Sequence, residues 1–326
     1  MRLSARCSQA VDVPAFGKIG NTFFCARVSF WAGYACGMRL NLWALAYFAM
    51  VFLGWAEAAP LAVGPGQVEM PNGSEPITLF TYKPPTYTDG PLLVVFHGVA
   101  RNAEEYRTFA ITMAERFKAI VVTPLFDIER FPSARYQRGG LVGEDGQARP
   151  PEQWTYAAVP KIVAFIRQNE EKPALPYYLI GHSAGGQFLV RLAAFLPGEA
   201  VRIVAANPGS HLFPTRDQDF GYGFGGLPPT LSSDTVLQRY LAAPVTFYLG
   251  TDDIYPRPSF DASPAGMKQG ANRLERGRAC FAFAEKLARD RGWAFNWRKV
   301  ETPGIGHQAA FMFAAKEVED ALFGRK

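Results

Sequence analysis

The pentapeptide Gly181-His182-Ser183-Ala184-Gly185 reads G-x-S-x-G. It stands between a short apolar run at 177–180 and a segment of helical spacing that reaches about residue 196. In that context the pattern describes a sharp strand-to-helix turn that lifts a serine hydroxyl above a sheet and close to a helix N-terminus. Gly181 and Gly185 leave room for so tight a bend. A serine is a poor nucleophile until a base takes its proton, and the chain holds four histidines: His97, His182, His211 and His307. His182 lies inside the turn, His97 ends an apolar run, and His211 opens a long irregular stretch. His307 follows Pro303-Gly304-Ile305-Gly306 in a loop after the last apolar run. A base falls there if the order along the chain is serine, acid, histidine.

The acid is expected after 245–249, where Gly250-Thr251-Asp252-Asp253 offers two carboxylates. Asp253 is favoured over Asp252, because the acid of such a strand-end turn falls three residues after the glycine. An aspartate there fixes the imidazole tautomer and stabilises the imidazolium. An oxyanion needs two backbone N–H donors. Ala184, next after the serine, is one, and Val99 in His97-Gly98-Val99 is the other. Arg101, Asn102 and Tyr106 either brace this loop or simply open a helix. Each residue also has an ordinary structural reading: a satisfied serine in a Gly-rich turn, or a histidine at a helix start. No HExxH or Cys/His cluster offers a metal site, and no organic cofactor is implied.

Elements that would hold these groups alternate along the chain. Strands are expected at 77–82, 92–96, 119–124, 177–180, 201–206, 245–249 and 295–300. Helices are expected at 103–118, 154–169, 184–196, 273–291 and 308–323. Strands alternating with helices describe an α/β fold, a mostly parallel central sheet with helices on both faces. Two Gly- and Pro-rich insertions, near 130–153 and 210–240, break the rhythm. Loops of that length line binding sites or pack as irregular excursions. The aromatics of Phe220-Gly221-Tyr222-Gly223-Phe224 are candidates for a substrate groove.

The formal net charge is +5, and in the first 58 residues Arg2, Arg6, Lys18, Arg27 and Arg39 outnumber Asp12 and Glu57. No basic run interleaved with aromatics occurs, so a nucleic-acid partner is not supported. Met38-Arg39, the apolar run at 40–55 and Ala56-Glu57-Ala58 have the form of a secretory signal peptide. The run is short for a membrane span, so a membrane association is expected only if this segment stays uncleaved as an anchor. The expected organisation is a non-native extension at 1–37, a signal peptide or anchor at 38–58, and a single catalytic domain at 59–326, secreted or periplasmic. Cys7, Cys25 and Cys36 precede the cleavage, leaving Cys280, flanked by Ala279, Phe281 and Ala282, as a small buried apolar residue.

From about residue 77 onward the sequence resembles the α/β-hydrolase superfamily, and within it secreted polyhydroxybutyrate-depolymerase-like and feruloyl-esterase-like serine esterases. The carriers are His97-Gly98 with Arg101-Asn102-Ala103-Glu104 following, Gly181-His182-Ser183-Ala184-Gly185, Gly250-Thr251-Asp252-Asp253 and Gly306-His307. The resemblance implies cleavage of a carboxylic ester of a small-molecule or oligomeric substrate through an acyl-enzyme. It assigns nucleophile, acid and base to Ser183, Asp253 and His307, and the oxyanion donors to Val99 and Ala184. Disulfides of many secreted members have no counterpart here, and no polymer-binding module follows the catalytic region. A peptidase or thioesterase with the same three residues is a second reading. A non-catalytic binding protein on the same scaffold is a third, although it would be expected to have lost one of the three residues or an elbow glycine.

Overall fold

A computed structural model describes residues 12–19, 22–29, 59–255 and 259–324. The expected start at Met38 and signal segment at 38–58 lie outside the described residues. Asp12–Ile19 (β1) and Thr22–Ser29 (β2) pair antiparallel, Asp12 opposite Ser29, within a unit formed by Met1–Glu57. Ala58–Lys326 forms the second unit, to which everything below belongs.

Its sheet is built from Gly64–Met70 (β3), Ile77–Lys83 (β4), Leu92–Phe96 (β5), Ile120–Pro124 (β6), Tyr177–His182 (β7), Arg202–Ala206 (β8), Val245–Gly250 (β9) and Arg298–Thr302 (β10). The spatial order is β10-β9-β8-β7-β5-β6-β4-β3. Strands from β10 to β6 run parallel, while β4 pairs antiparallel with β6 and β3 antiparallel with β4. The apolar runs are continuous because both faces are covered. Leu92, Val94 and Phe96 feed one core and Leu93 and Val95 the other; Phe247 and Leu249 likewise oppose Tyr248.

One face is packed by Ala158–Asn169, Ala184–Phe195, Asp234–Ala242 and Arg273–Arg291, the other by Ala103–Phe109, Ile111–Phe117, Ala309–Ala314 and Val318–Leu322. After β5 the chain goes to β6 on one side and then returns to β7 on the other. Connections therefore diverge between β5 and β7, which opens a crevice at the strand ends where α/β proteins place their sites. Both Gly181 and the strand end Phe96 reach that crevice, being register partners.

Several expected elements shift. β3 is absent from the sequence reading, because its Gly64-Pro65-Gly66 start looks like a lead. It is an edge strand with alternating burial, where proline is tolerated. The helix expected at 103–118 is broken at Ala110, and the closing helix at Ala315, where the backbone turns extended. The helix expected from 154 starts with a 3₁₀ turn, Thr155–Ala157. The strand expected at 295–300 lies three residues later. Trp297 is buried and donates to the Tyr240 carbonyl while Asn296 N–H donates to Leu241, so this apolar stretch docks a helix instead of pairing in the sheet. The 210–240 insertion is not structureless: it carries Pro229–Ser232 and Asp234–Ala242 as helices.

Candidate active site

The turn after β7 is held by close backbone approach. Ser183 has φ 56 and ψ −114, a strained conformation for a residue with a side chain. A Cβ on Gly181 would lie 2.6 Å from the Gly185 carbonyl, and one on Gly185 would lie 2.3 Å from the Phe96 carbonyl. These two glycines are needed because the new helix starts against β5 and β7, not because of their own φ. Ser183 N–H donates to Ala206 at the end of β8, which fastens the turn to the next strand. The serine is half-buried, and Ala184 follows as the first residue of the helix, with no acceptor four residues back for its N–H.

The loop after β5 is braced from below. Phe126 N–H donates to Nε2 of His97 (3.1 Å), so Nδ1 carries the proton and donates to the Gly98 carbonyl (3.0 Å). Burial lowers His97 to about 4, which keeps it neutral and in this tautomer. The Tyr136 hydroxyl donates to the His97 carbonyl (2.8 Å), and the Arg101 guanidinium lies over the Tyr136 ring while donating to the Phe126 and Phe131 carbonyls. Arg101 itself has φ 61. Val99 stands in the turn of this braced loop, about half exposed.

On the other side, His307 joins the groups singled out in the sequence. Its Nδ1 lies 2.7 Å from Asp253 Oδ2 and its Nε2 lies 3.0 Å from Ser183 Oγ. Asp253, at 2% exposure, faces His307; Asp252 is exposed and points elsewhere. The two loops that carry Asp253 and His307 are zipped together. Thr251 N–H donates to Thr302, Asp252 N–H to Ile305, and Gly304 N–H to the Thr251 hydroxyl. A Cβ on Gly250 would lie 2.2 Å from the Ile305 carbonyl, so only glycine allows that approach.

Two residues that the sequence reading passes over complete the arrangement. Asn207, buried and at φ 42, accepts from Gly250 N–H (2.8 Å) and donates to the Gly306 carbonyl (3.0 Å). It thereby fastens both loops to the end of β8. Its place at the carboxyl end of a parallel strand is the signal that could have found it. Arg273, next after the Asn272 cap of its helix, puts a buried guanidinium 3.5 Å from Asp253 Oδ1, the oxygen that His307 leaves unused. Buried charges persist when compensated, yet nothing local in the sequence marks this arginine.

The remaining expectations resolve plainly. His211 is a core residue, its ring tilted against that of Phe247, and burial pushes it down to about 3. Cys280 is a free thiol, fully buried. Among the aromatics considered for a groove, Phe224 is fully buried against Phe195 and Tyr240, and Phe220 packs on Phe195. Buried Arg191 holds the stretch by donating to Ser210 and to the Gly221 carbonyl, while Phe220 and Tyr222 stay half-buried along a pocket shared with Arg138 and Lys268. Among the described residues, no helix is long and apolar enough to cross a membrane.

No protein-family model and no curated protein matches the chain. Solved structures do. LpqC, a poly(3-hydroxybutyrate) depolymerase from Bordetella parapertussis, is 36% identical with a TM-score of 0.74, over 81% of this chain and 92% of that one. Poly(aspartic acid) hydrolase-1 from Sphingomonas sp. KT-1 is 32% identical with a TM-score of 0.73, over 77% of this chain and 96% of that one. With that identity over nearly the whole of both relatives, and with the sheet order above, the chain belongs to the α/β-hydrolase superfamily, among the polyhydroxybutyrate-depolymerase-like hydrolases.

Proposed function

We propose that this hydrolase cleaves a carboxylic ester through an acyl-enzyme on Ser183. The observation that carries the reading is the row Asp253–His307–Ser183, with 2.7 Å and 3.0 Å between successive polar atoms. Ser183 Oγ attacks the ester carbonyl carbon while His307 Nε2 takes its proton. The resulting oxyanion is met by the N–H groups of Ala184 and Val99. Collapse of the tetrahedral intermediate breaks the bond to the alcohol, which leaves with the proton from His307. Water then repeats the sequence on the acyl-enzyme and releases the acid. Asp253 holds the imidazole with Nε2 free to accept, and it stabilises the imidazolium while Arg273 offsets the buried carboxylate on its far side.

An amide reading has one specific support: the relative at 32% identity is named for poly(aspartic acid), an amide-linked polymer. The ester reading is preferred because the relative at 36% identity is named for poly(3-hydroxybutyrate), an ester-linked polymer, and because an alcohol leaves a tetrahedral intermediate more readily than an amine. Turnover of p-nitrophenyl acetate, butyrate and octanoate is expected from the wild-type chain and is lost in Ser183→Ala. A wild-type chain that hydrolyses acyl p-nitroanilides as fast as the esters overturns the preference.

A further inference from the structure

The mechanism above makes no use of a buried polar pair on the remaining side of His307. Tyr106 is 6% exposed, and its hydroxyl lies 3.1 Å from Nδ1 of His182. The same hydroxyl lies against Gly98 in the loop that carries Val99. Gly98 is kept bare by this contact, since a Cβ there would lie 2.6 Å from the tyrosine oxygen. The His182 ring, in turn, lies with its centroid 4.5 Å from that of His307, the planes tilted by 44°. Burial, together with the charges of His307 and Arg273, lowers His182 well below the ordinary histidine range, so its ring is neutral. With the tyrosine O–H donating to Nδ1, the ring proton sits on Nε2, which is buried without a hydrogen-bond partner among the described residues. A phenylalanine and a leucine would fill the same space without buried polar atoms that each need a partner.

We infer that Tyr106 and His182 are positioning residues that couple the oxyanion loop to the ring of His307. The inference rests on the acyl-transfer reading. During reaction His307 becomes an imidazolium that must keep its bond to Asp253 while Nε2 turns from Ser183 to the leaving alcohol. A ring packed on one face limits how far it tips. Because that packing ring is neutral, it does not repel the developing charge. The tyrosine hydroxyl fixes His182 and, through Gly98, the loop of one oxyanion donor. Base and oxyanion donor therefore keep one mutual geometry, and a loss at either end of the pair is felt at both.

The test uses the full chain, p-nitrophenyl butyrate, and active-site titration with a fluorophosphonate, so that rates are per competent molecule. Tyr106→Phe is expected to lower kcat about tenfold or more with KM changed by no more than about twofold, the signature of lost alignment. His182→Leu is expected to match it. His182→Asn, whose side-chain oxygen can accept in place of Nδ1, recovers most of the loss. The double variant Tyr106→Phe/His182→Leu is no slower than the slower single variant, because both remove one coupled unit. A merely structural pair would lower the unfolding midpoint and leave kcat per titrated site unchanged. Wild-type kcat in Tyr106→Phe, equal rates in His182→Asn and His182→Leu, or losses that multiply in the double variant would overturn the inference. If His182→Leu does not fold, Tyr106→Phe with His182→Asn decides it: the asparagine must be the milder of the two. Ester turnover lost in Ser183→Ala tests the underlying reading separately, so the two can fail independently.

Discussion

The proposed nucleophile side and the proposed acid–base side of this site are built by opposite means. Ser183 is placed by five consecutive residues: a strand ends, the backbone turns through positive φ, and two glycines let a helix begin against β5. Asp253 and His307 stand on loops about fifty residues apart in sequence, and their geometry comes from bonds between those loops and to Asn207 and Arg273. One side is local and steric, the other assembled and polar. Steric placement leaves little freedom, so damage there shows first as lost folding. Polar placement can loosen by degrees, so damage there shows first as lost rate.

The largest expected effect is on the nucleophile side. Ser183→Ala removes the attacking oxygen with hardly any change in volume, and turnover is expected to fall by several orders of magnitude while the thermal midpoint holds, as a thermal melt beside an ester assay will read. Gly185→Ala separates the two modes of damage. Its Cβ would overlap the Phe96 and His97 carbonyls, backbone atoms that cannot swing aside. We expect loss of more than about 4 kcal/mol or no soluble protein at all, measured by urea unfolding. A stable, slow Gly185→Ala enzyme would break the distinction between the two sides.

Acid-side variants grade downward. Asp253→Asn is expected to cost about 10⁴-fold in kcat, since an amide holds the wrong imidazole tautomer. Asn207→Ala unfastens both loops and leaves a buried Gly250 N–H without its acceptor. It is expected to lower kcat about 10- to 100-fold, with a stability loss of about 1–3 kcal/mol read in the same unfolding experiment. Unchanged kcat in that variant would show that the loops hold their places without the clamp. Asp252→Asn, exposed and away from His307, is expected to change kcat by less than about threefold, because surface substitutions rarely matter. A greater loss there than in Asp253→Asn would reassign the acid.

The same contrast explains what is legible in the sequence. Gly181 to Gly185 can be read because every constraint on that turn lies within it and in the strand before it. Asp253 and His307 emerge from their order and their place after apolar runs, but the choice between Asp252 and Asp253 rests on loop spacing alone. Asn207 and Arg273 escape because Asn207 meets its Gly250 partner 43 residues away and Arg273 reaches Asp253 from a different element. No periodicity marks a residue for a bond across loops. In the fold, runs buried on both faces are plain. The reading fails where side chains serve a different purpose. Trp297 docks a helix, Phe224 fills a core under the 210–240 excursion, and the edge strand β3 alternates too weakly among glycines to stand out. The aromatics of that insertion divide between the two uses of a long loop, Phe224 anchoring it in the core while Phe220 and Tyr222 stay half-buried along a pocket.

The most direct test of the central claim is labelling of the purified chain with a fluorophosphonate, followed by peptide mapping, in wild type and in His307→Ala. The account predicts a single phosphonylated residue, Ser183, in the wild type, and strongly slowed labelling once the base is gone. Labelling at another residue, or no labelling of a folded wild-type protein, would contradict it, because a serine 3.0 Å from an oriented imidazole should react.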